Sequence, residues 1–87
     1  MTRQEIYDYF KKKGYAPLRE GGHLYREQPK PQGPGTQRFR VVFQARSVRI
    51  EREVSKDYWV LARGGYYKDW VIHPETGELT QQKIKKT

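Results

Sequence analysis

Basic side chains interleaved with aromatic rings occupy residues 38–70 of this sequence. Five arginines come first, namely Arg38, Arg40, Arg46, Arg49 and Arg52. A guanidinium group can donate a bidentate pair of hydrogen bonds to a phosphate, so several of them on one surface favour contact with a phosphate backbone. Since Glu51 and Glu53 lie in the same stretch, the alternative is an ordinary solvent-facing surface on which opposite charges balance.

Five aromatic residues follow the arginines: Tyr58, Trp59, Tyr66, Tyr67 and Trp70. These rings stand at both odd and even positions, so they point to both faces of the predicted strands and cannot all be buried on one face. Rings left outside beside Arg63 and Lys68 would form a platform on which unpaired bases stack, at roughly 1–3 kcal/mol per base. The alternative is that a small core needs these rings, and which phase faces outward stays open. The predicted nucleic-acid-binding residues are Arg38, Arg40, Arg49, Arg63, Tyr66, Tyr67, Lys68 and Trp70.

Residues suited to catalysis are scarce. The chain has no cysteine, and its two histidines, His23 and His73, lie in no spacing typical of a nucleophile or a metal ligand. Gly64-Gly65 lacks the longer glycine-rich frame of a phosphate loop. We therefore predict that the protein is not an enzyme and that it uses no metal and no cofactor.

Charge is the strongest compositional signal. Eighteen Lys and Arg stand against ten Asp and Glu among 87 residues, which gives a net charge of +8. A strongly basic domain of this kind is typical of nucleic-acid binders, although an acidic protein partner or merely solvated charge stays open. The N-terminal residues lack a secretory h-region, and no apolar run reaches the ~18 residues that span a bilayer. We expect a soluble cytoplasmic protein that does not bind a membrane.

The N-terminal residues predict a helix over Thr2–Lys13. Thr2 and Glu5 match a capping box, in which each side chain satisfies a backbone donor of the first turn. The helical spacing of Ile6, Tyr9 and Phe10 gives one apolar stripe. Gly14 stands where a left-handed C-cap is expected.

The remaining residues predict strands and turns. Residues 15–18 and 23–26 look extended, with a turn at Gly21-Gly22 between them. Residues 27–37 carry three prolines and two glycines, which favours a loop. From residue 38 the apolar positions alternate, with Phe39, Val41 and Phe43 facing the core and Arg38, Arg40 and Gln44 facing outward. The phase changes at Val48 and Ile50, so a turn or bulge is expected near Ala45–Ser47.

The C-terminal half continues the pattern. Residues 58–62 form a continuous apolar run that predicts a central strand. Gly64-Gly65 predicts a two-residue hairpin, after which residues 66–73 would return as the next strand. A further turn is expected at residues 74–77 and another extended segment at 79–84, followed by a frayed basic tail. The sum is one domain over residues 1–87, of α+β class, with one N-terminal helix packed on a mostly antiparallel sheet.

The order of several motifs resembles a known family. Residues 9–15 (YFKKKGY), residues 18–25 (LREGGHLY), Trp59 before Gly64-Gly65, and Asp69-Trp70-Val71 resemble the N-terminal domain of bacterial-type DNA primases. They are more similar to its zinc-less relatives in primase- and relaxase-like proteins of mobile elements. The resemblance implies handling of single-stranded DNA during replication or transfer, with Trp59, Gly64, Gly65 and Asp69 as structural positions. The zinc ligands of true primases are absent because the chain has no cysteine.

Two functions follow as expectations. The first is a small basic protein that binds nucleic acid, DNA or RNA, with single strands preferred. The second is a protein-interaction adaptor or inhibitor of a larger nucleic-acid enzyme, which would use the Pro-rich residues 29–34 and an exposed sheet edge. Strong dependence of nucleic-acid binding on salt would favour the first function.

Overall fold

The computed structural model describes residues 1–19, 22–73 and 76–81. Over these residues the fold consists of one helix followed by five strands. The elements are α1 (Arg3–Lys12), β1 (Ala16–Pro17), β2 (Leu24–Pro29), β3 (Thr36–Phe43), β4 (Val48–Ser55) and β5 (Tyr58–Tyr66). All neighbouring strands pair antiparallel, in the order β1-β2-β3-β4-β5. The predicted α+β class, with an N-terminal helix on an antiparallel sheet, is confirmed.

Helix α1 begins and ends as its local sequence predicts. The Thr2 hydroxyl accepts a hydrogen bond from the Glu5 amide at 3.1 Å, and the Glu5 carboxylate accepts one from the Thr2 amide at 2.7 Å. Gly14, just beyond the last turn, has a φ of +105° that favours glycine. The stripe predicted on the helix is also present, since Ile6 and Phe10 are buried and Tyr9 is half-buried.

The hydrophobic core lies between one face of the sheet and the layer formed by α1 with residues 70–73 and 76–80. Leu24, Val41 and Ile50 are aligned by register across β2, β3 and β4, and all three are fully buried. The other core residues are Ile6, Phe10, Tyr15, Phe39, Val48, Ile72 and Leu79. The Tyr9 hydroxyl accepts a hydrogen bond from the Leu79 amide at 3.2 Å, which ties the C-terminal segment to the helix.

The prediction of a loop over residues 27–37 is wrong at both ends. Strand β2 continues to Pro29 and β3 already begins at Thr36, so a ladder runs into the proline-rich stretch. Only residues 30–35 form the connection, which is closed by a hydrogen bond from the Lys30 amide to the Gly35 carbonyl at 3.2 Å. Proline is tolerated at position 29 because an amide there would face away from β3, on a side that β1 does not reach.

The phase change after β3 is a tight turn, as predicted. The Gln44 amide donates to the Ser47 carbonyl at 2.9 Å, and Phe43 pairs with Val48 across the turn. A second connection, at Lys56-Asp57, lies between β4 and β5 and was not predicted. Asp57 has a φ of 59°, a left-handed conformation that aspartate tolerates better than most residues.

Strand β5 differs from its prediction in two respects. It lies at the edge of the sheet rather than at its centre, and it continues through Gly64-Gly65 to Tyr66 without a hairpin. The pairing of β5 with β4 shifts register twice around Ile50, which pairs with Arg63. Its neighbours Arg49 and Glu51 pair with Gly65 and Leu61, so one additional residue of β5 is inserted on each side of Arg63. A Cβ at Gly65 would lie 2.5 Å from the Val48 carbonyl oxygen. Glycine is therefore required here by the close approach of β4, not by a turn.

Residues 67–73 do not form the predicted return strand. They contain only the isolated bridges Tyr67–Asp69 and Ile72–Leu79, and Ile72 is buried in the core. The turn predicted at 74–77 and the segment at 79–84 fall in part outside the described residues. Gly21 and the basic tail also lie outside them.

Candidate nucleic-acid interface

The sheet has a second face, opposite α1, which we name the open face. It carries Tyr25, Arg38, Arg40, Arg49, Glu51, Glu53 and Trp59, which alternate with the core residues along β2 to β5. Register places these side chains side by side, because Tyr25 pairs with Arg40, Arg40 with Glu51, and Glu53 with Trp59. Period-two alternation thus places most of the aliphatic side chains of these strands on one face and most of their cations, carboxylates and rings on the other, although Val42 and Leu61 also share the open face.

Two aromatic rings enclose the arginines of the open face. Tyr25 and Trp59 stand on β2 and β5, which lie about 14 Å apart at the usual strand spacing. Their ring centroids are nevertheless only 5.8 Å apart, so the rings lean towards each other over β3 and β4. The Arg38 guanidinium lies 5.7 Å from the Tyr25 ring and 5.5 Å from the Trp59 ring, and that of Arg40 lies 4.2 Å from Trp59. We name these four residues the aromatic–arginine cluster.

A buried carboxylate organises the charges beneath these rings. Glu51 is only 6% exposed, yet its two oxygens accept ion-pair contacts at 2.7 Å from Arg40 and from Arg49. Arg38 pairs with Glu53 at 3.1 Å. The side chains of Arg38 and Arg49 remain 40% and 41% exposed, so both keep N–H donors directed at solvent.

The predicted binding residues divide into three groups in the structure. Arg38, Arg40 and Arg49 share the open face, as the alternation predicts. Arg63 lies on the core side, 4.7 Å above the Phe39 ring, because the register shift in β5 pairs it with Ile50. The predicted basic residues therefore do not all lie on one face of the sheet.

The C-terminal members of the predicted site lie apart from the arginines. Tyr66 is 58% exposed at the end of β5, in agreement with the prediction that one ring of this stretch points outward. Tyr67 and Trp70 pack against the core, and the Lys68 ammonium stands 5.4 Å from the Tyr67 ring. The need of a small core for large rings decides the position of Tyr67 and Trp70.

Sequence reasoning missed Tyr25 and gave Trp59 no binding role. Both belong to the aromatic–arginine cluster, and Tyr25 stands directly across from Arg40. The available signal was the hairpin itself. If β2 and β3 are folded about the bond between Gln32 and Gly33, residues whose numbers sum to 65 face each other, and Tyr25 then meets Arg40. Assigning residues 27–37 to a loop hid this pairing.

His23 stands at the rim of the open face. Its Nδ1 accepts a hydrogen bond from the Phe43 amide at 3.4 Å, so the remaining ring proton resides on Nε2. Burial lowers the pKa of His23 from its ordinary value of 6.5, and the nearby Arg40 guanidinium lowers this pKa further, while Glu51 opposes the shift. At neutral pH the imidazole is therefore uncharged and presents one N–H donor.

Comparison of the chain with known protein families, curated proteins and solved structures found no match. Within the residues that the structure describes, no helix is long and apolar enough to cross a membrane. The same residues include no group of three or more histidine, aspartate or glutamate side chains able to hold a metal ion.

Proposed function

We propose that the protein binds single-stranded nucleic acid on its open face. The observation that carries the proposal is the aromatic–arginine cluster, in which Tyr25 and Trp59 flank Arg38 and Arg40 at distances typical of cation–π contact. Half-buried rings of this kind offer π-surfaces on which bases stack, and guanidinium planes offer both stacking and phosphate contact. The net charge of +8 adds a long-range attraction for a polyanion.

Basic residues continue beyond the cluster in both directions. Towards the hairpin ends, a cleft of about 300 Å³ combines Lys30, Arg38, Arg52 and Lys56 with Glu27 and Glu53. At the opposite end, Tyr25 lines a second cleft with Arg3 and Arg19. Together the two clefts and the cluster define a path along the sheet for an extended strand.

A single strand suits this surface better than a duplex. Stacking on Tyr25 and Trp59 requires bases whose faces are free, which a duplex does not provide in its interior. Glu51 holds Arg40 and Arg49 in place before any ligand arrives, each through Nε and Nη2 on one carboxylate oxygen, so their ordering does not oppose binding. A protein distinguishes RNA from DNA through contacts to the 2′-hydroxyl. The proposal therefore covers single strands of both DNA and RNA.

The test is fluorescence anisotropy with labelled single-stranded DNA, duplex DNA and single-stranded RNA, each at about 50 and 200 mM salt. We expect tighter binding to single strands and a steep loss of affinity at the higher salt. Trp59→Leu should weaken binding to single strands about 5- to 100-fold, the equivalent of one stacked base. Tyr58→Leu is the matched control, since Tyr58 is the adjacent ring on β5, 61% exposed and outside the cluster.

A second candidate function is favoured by the exposed apolar side chains of β5. This edge strand exposes Tyr58, Leu61 and Tyr66, which are 58–63% exposed and suit contact with a protein. Absence of binding to all three probes at low salt would contradict the nucleic-acid proposal. A protein partner that is retained after nuclease treatment, and lost on Leu61→Asp, would then support an adaptor or inhibitor role.

The setting of this function stays a prediction. The resemblance to zinc-less primase- and relaxase-like proteins would place the protein in the replication or transfer of a mobile element. Of the positions that carry it, Gly65 is fixed by close packing against β4 and Trp59 lies in the aromatic–arginine cluster. A preference for single-stranded DNA over RNA in the anisotropy experiment would favour that setting.

A further inference from the structure

A cleft of about 430 Å³ opens at the rim of the open face, where the start of α1 meets β2 and the end of β3. We name it the His23 cleft. The side chains that matter here are Arg3, Arg19, His23, Tyr25 and Phe43. Its volume lies within the range of sites that bind small molecules, and three of these five residues carry nitrogen donors.

Within residues 1–19, 22–73 and 76–81, the donors of the His23 cleft differ from those of the aromatic–arginine cluster in lacking carboxylate partners. The Arg19 guanidinium forms no ion pair with any residue that the structure describes, and no carboxylate within that part of the chain lines the cleft. Arg3 donates one hydrogen bond to the Gln44 carbonyl and stands 5.7 Å from the Phe43 ring. That contact holds the guanidinium in place while leaving most of its five donors available.

Rings and donors meet at this position. His23 is held by the Phe43 amide through Nδ1, so its Nε2–H is the donor that remains for a ligand. Tyr25 lines the His23 cleft and also belongs to the aromatic–arginine cluster, which makes the two regions continuous. A ligand in the His23 cleft could therefore place an anionic group between Arg3 and Arg19 and a flat ring against Tyr25.

Building on the proposed function, we propose that the His23 cleft binds the terminal phosphomonoester of a nucleic-acid strand whose adjoining bases lie on the aromatic–arginine cluster. A terminal phosphomonoester carries nearly two negative charges near neutral pH, whereas an internal phosphodiester carries one. Two guanidinium groups that have no carboxylate partner among the described residues match the higher charge. The bounded volume of the cleft suits the end of a strand, and the open face suits the strand that follows.

The experiment compares oligonucleotides of one sequence, about 12 nucleotides long, that carry a phosphate at the 5′ end, at the 3′ end or at neither end. We expect one of the phosphorylated strands to bind at least about tenfold more tightly than the unphosphorylated strand, as charge-assisted hydrogen bonds allow. Equal affinity of all three strands would overturn the terminal-phosphate inference while leaving the proposed function intact. Absence of binding by every strand would instead overturn the proposed function and the inference with it.

Variants locate the effect. Arg19→Gln should remove the advantage of the phosphorylated strand, measured within this variant as the ratio of its affinity to that of the unphosphorylated strand. Lys12→Gln removes the same unit of charge from the exposed side of α1 and should preserve the advantage. Loss of the advantage in both variants would overturn the assignment to this cleft.

NMR provides a direct check of the site. The resonances of the His23 ring protons should shift on addition of the phosphorylated strand, and an unchanged spectrum would contradict the inference.

Discussion

The two faces of the sheet are built from the same strands but are stabilised by different forces. On the core face, Leu24, Val41 and Ile50 form a fully buried row across three strands. On the open face the adjacent row is Tyr25, Arg40 and Glu51, shifted by one residue along each strand. One residue of register therefore separates a surface that excludes water from one that presents charge and rings.

The difference shows how a small sheet can keep a functional surface rigid without a covering layer. The core face gains its order from the burial of aliphatic side chains, at about 25 cal/mol per Å². The open face gains its order from Glu51, whose buried carboxylate fixes two guanidinium groups from neighbouring positions. Removing a residue from each face should separate these two contributions.

The largest effect is expected on the core face. Ile50→Ala leaves a cavity beneath α1 and the C-terminal segment, and we expect it to lower the free energy of unfolding by about 2–5 kcal/mol in urea denaturation. Leu61→Ala on the adjacent strand is the control, since Leu61 is 63% exposed and should change stability by less than about 0.5 kcal/mol. Similar losses in the two variants would contradict the assignment of Ile50 to the core.

A smaller effect is expected at the buried carboxylate. Glu51→Gln should lower the free energy of unfolding by about 1–3 kcal/mol, less than for a fully buried pair because Arg49 is partly exposed. Glu53→Gln removes the pairing of Arg38, itself 40% exposed, and should cost under about 1 kcal/mol. Chemical denaturation of both variants checks the order, and a larger loss for Glu53→Gln would contradict the role given to Glu51.

The smallest effects are expected from titration, with opposite directions on the two faces. The pKa of His23 is lowered in the folded protein by burial and by Arg40. Below about pH 6.5, His23 binds a proton in the unfolded chain more readily than in the folded protein. The free energy of unfolding therefore falls as the pH falls through the lowered pKa of His23 in the folded protein.

The pKa of Tyr15 on the core side is raised by burial, an effect that Arg63 and Arg26 oppose. Above about pH 10 the unfolded chain therefore releases its proton first, and stability falls as the pH rises.

Thermal unfolding across this pH range checks both limbs. His23→Gln should flatten the acid limb and leave the alkaline limb unchanged. Tyr15→Phe should reduce the alkaline limb only, with the remainder due to Tyr9, whose pKa burial also raises, and to Lys13, whose pKa is raised as well. An acid limb that persists in His23→Gln would show that other groups control it.

Features encoded by short-range sequence were predictable. The capping box of α1, its apolar stripe and the turn before Val48 each depend on residues within a few positions of one another. The shared face of Arg38 and Arg40 followed from the two-residue period of β3. The α+β class followed from these elements because an amphipathic helix and half-buried strands must cover each other's apolar faces.

Features set by contacts between distant residues were not predictable from local patterns. Gly64-Gly65 matches a hairpin signal, yet Gly65 is required by the carbonyl of Val48 on the neighbouring strand. The register shifts of β5 then place Arg63 over Phe39 on the core side. The alternation of the sequence therefore could not predict which face of the sheet Arg63 occupies. The cluster of Tyr25 and Trp59 depends on four strands at once, which no single motif records.

The strand order has a consequence for the way the chain folds. Each strand pairs with its neighbour in sequence, so every step of the β1-β2-β3-β4-β5 meander closes a short loop and can proceed without waiting for distant segments. The bond between Tyr9 and Leu79 instead joins residues 70 positions apart. Because loop closure is entropically more costly over longer separations, the docking of the C-terminal segment is expected to be a late event in the folding kinetics. Transient opening of the native protein should begin with the same segment, ahead of the hairpins that carry the open face.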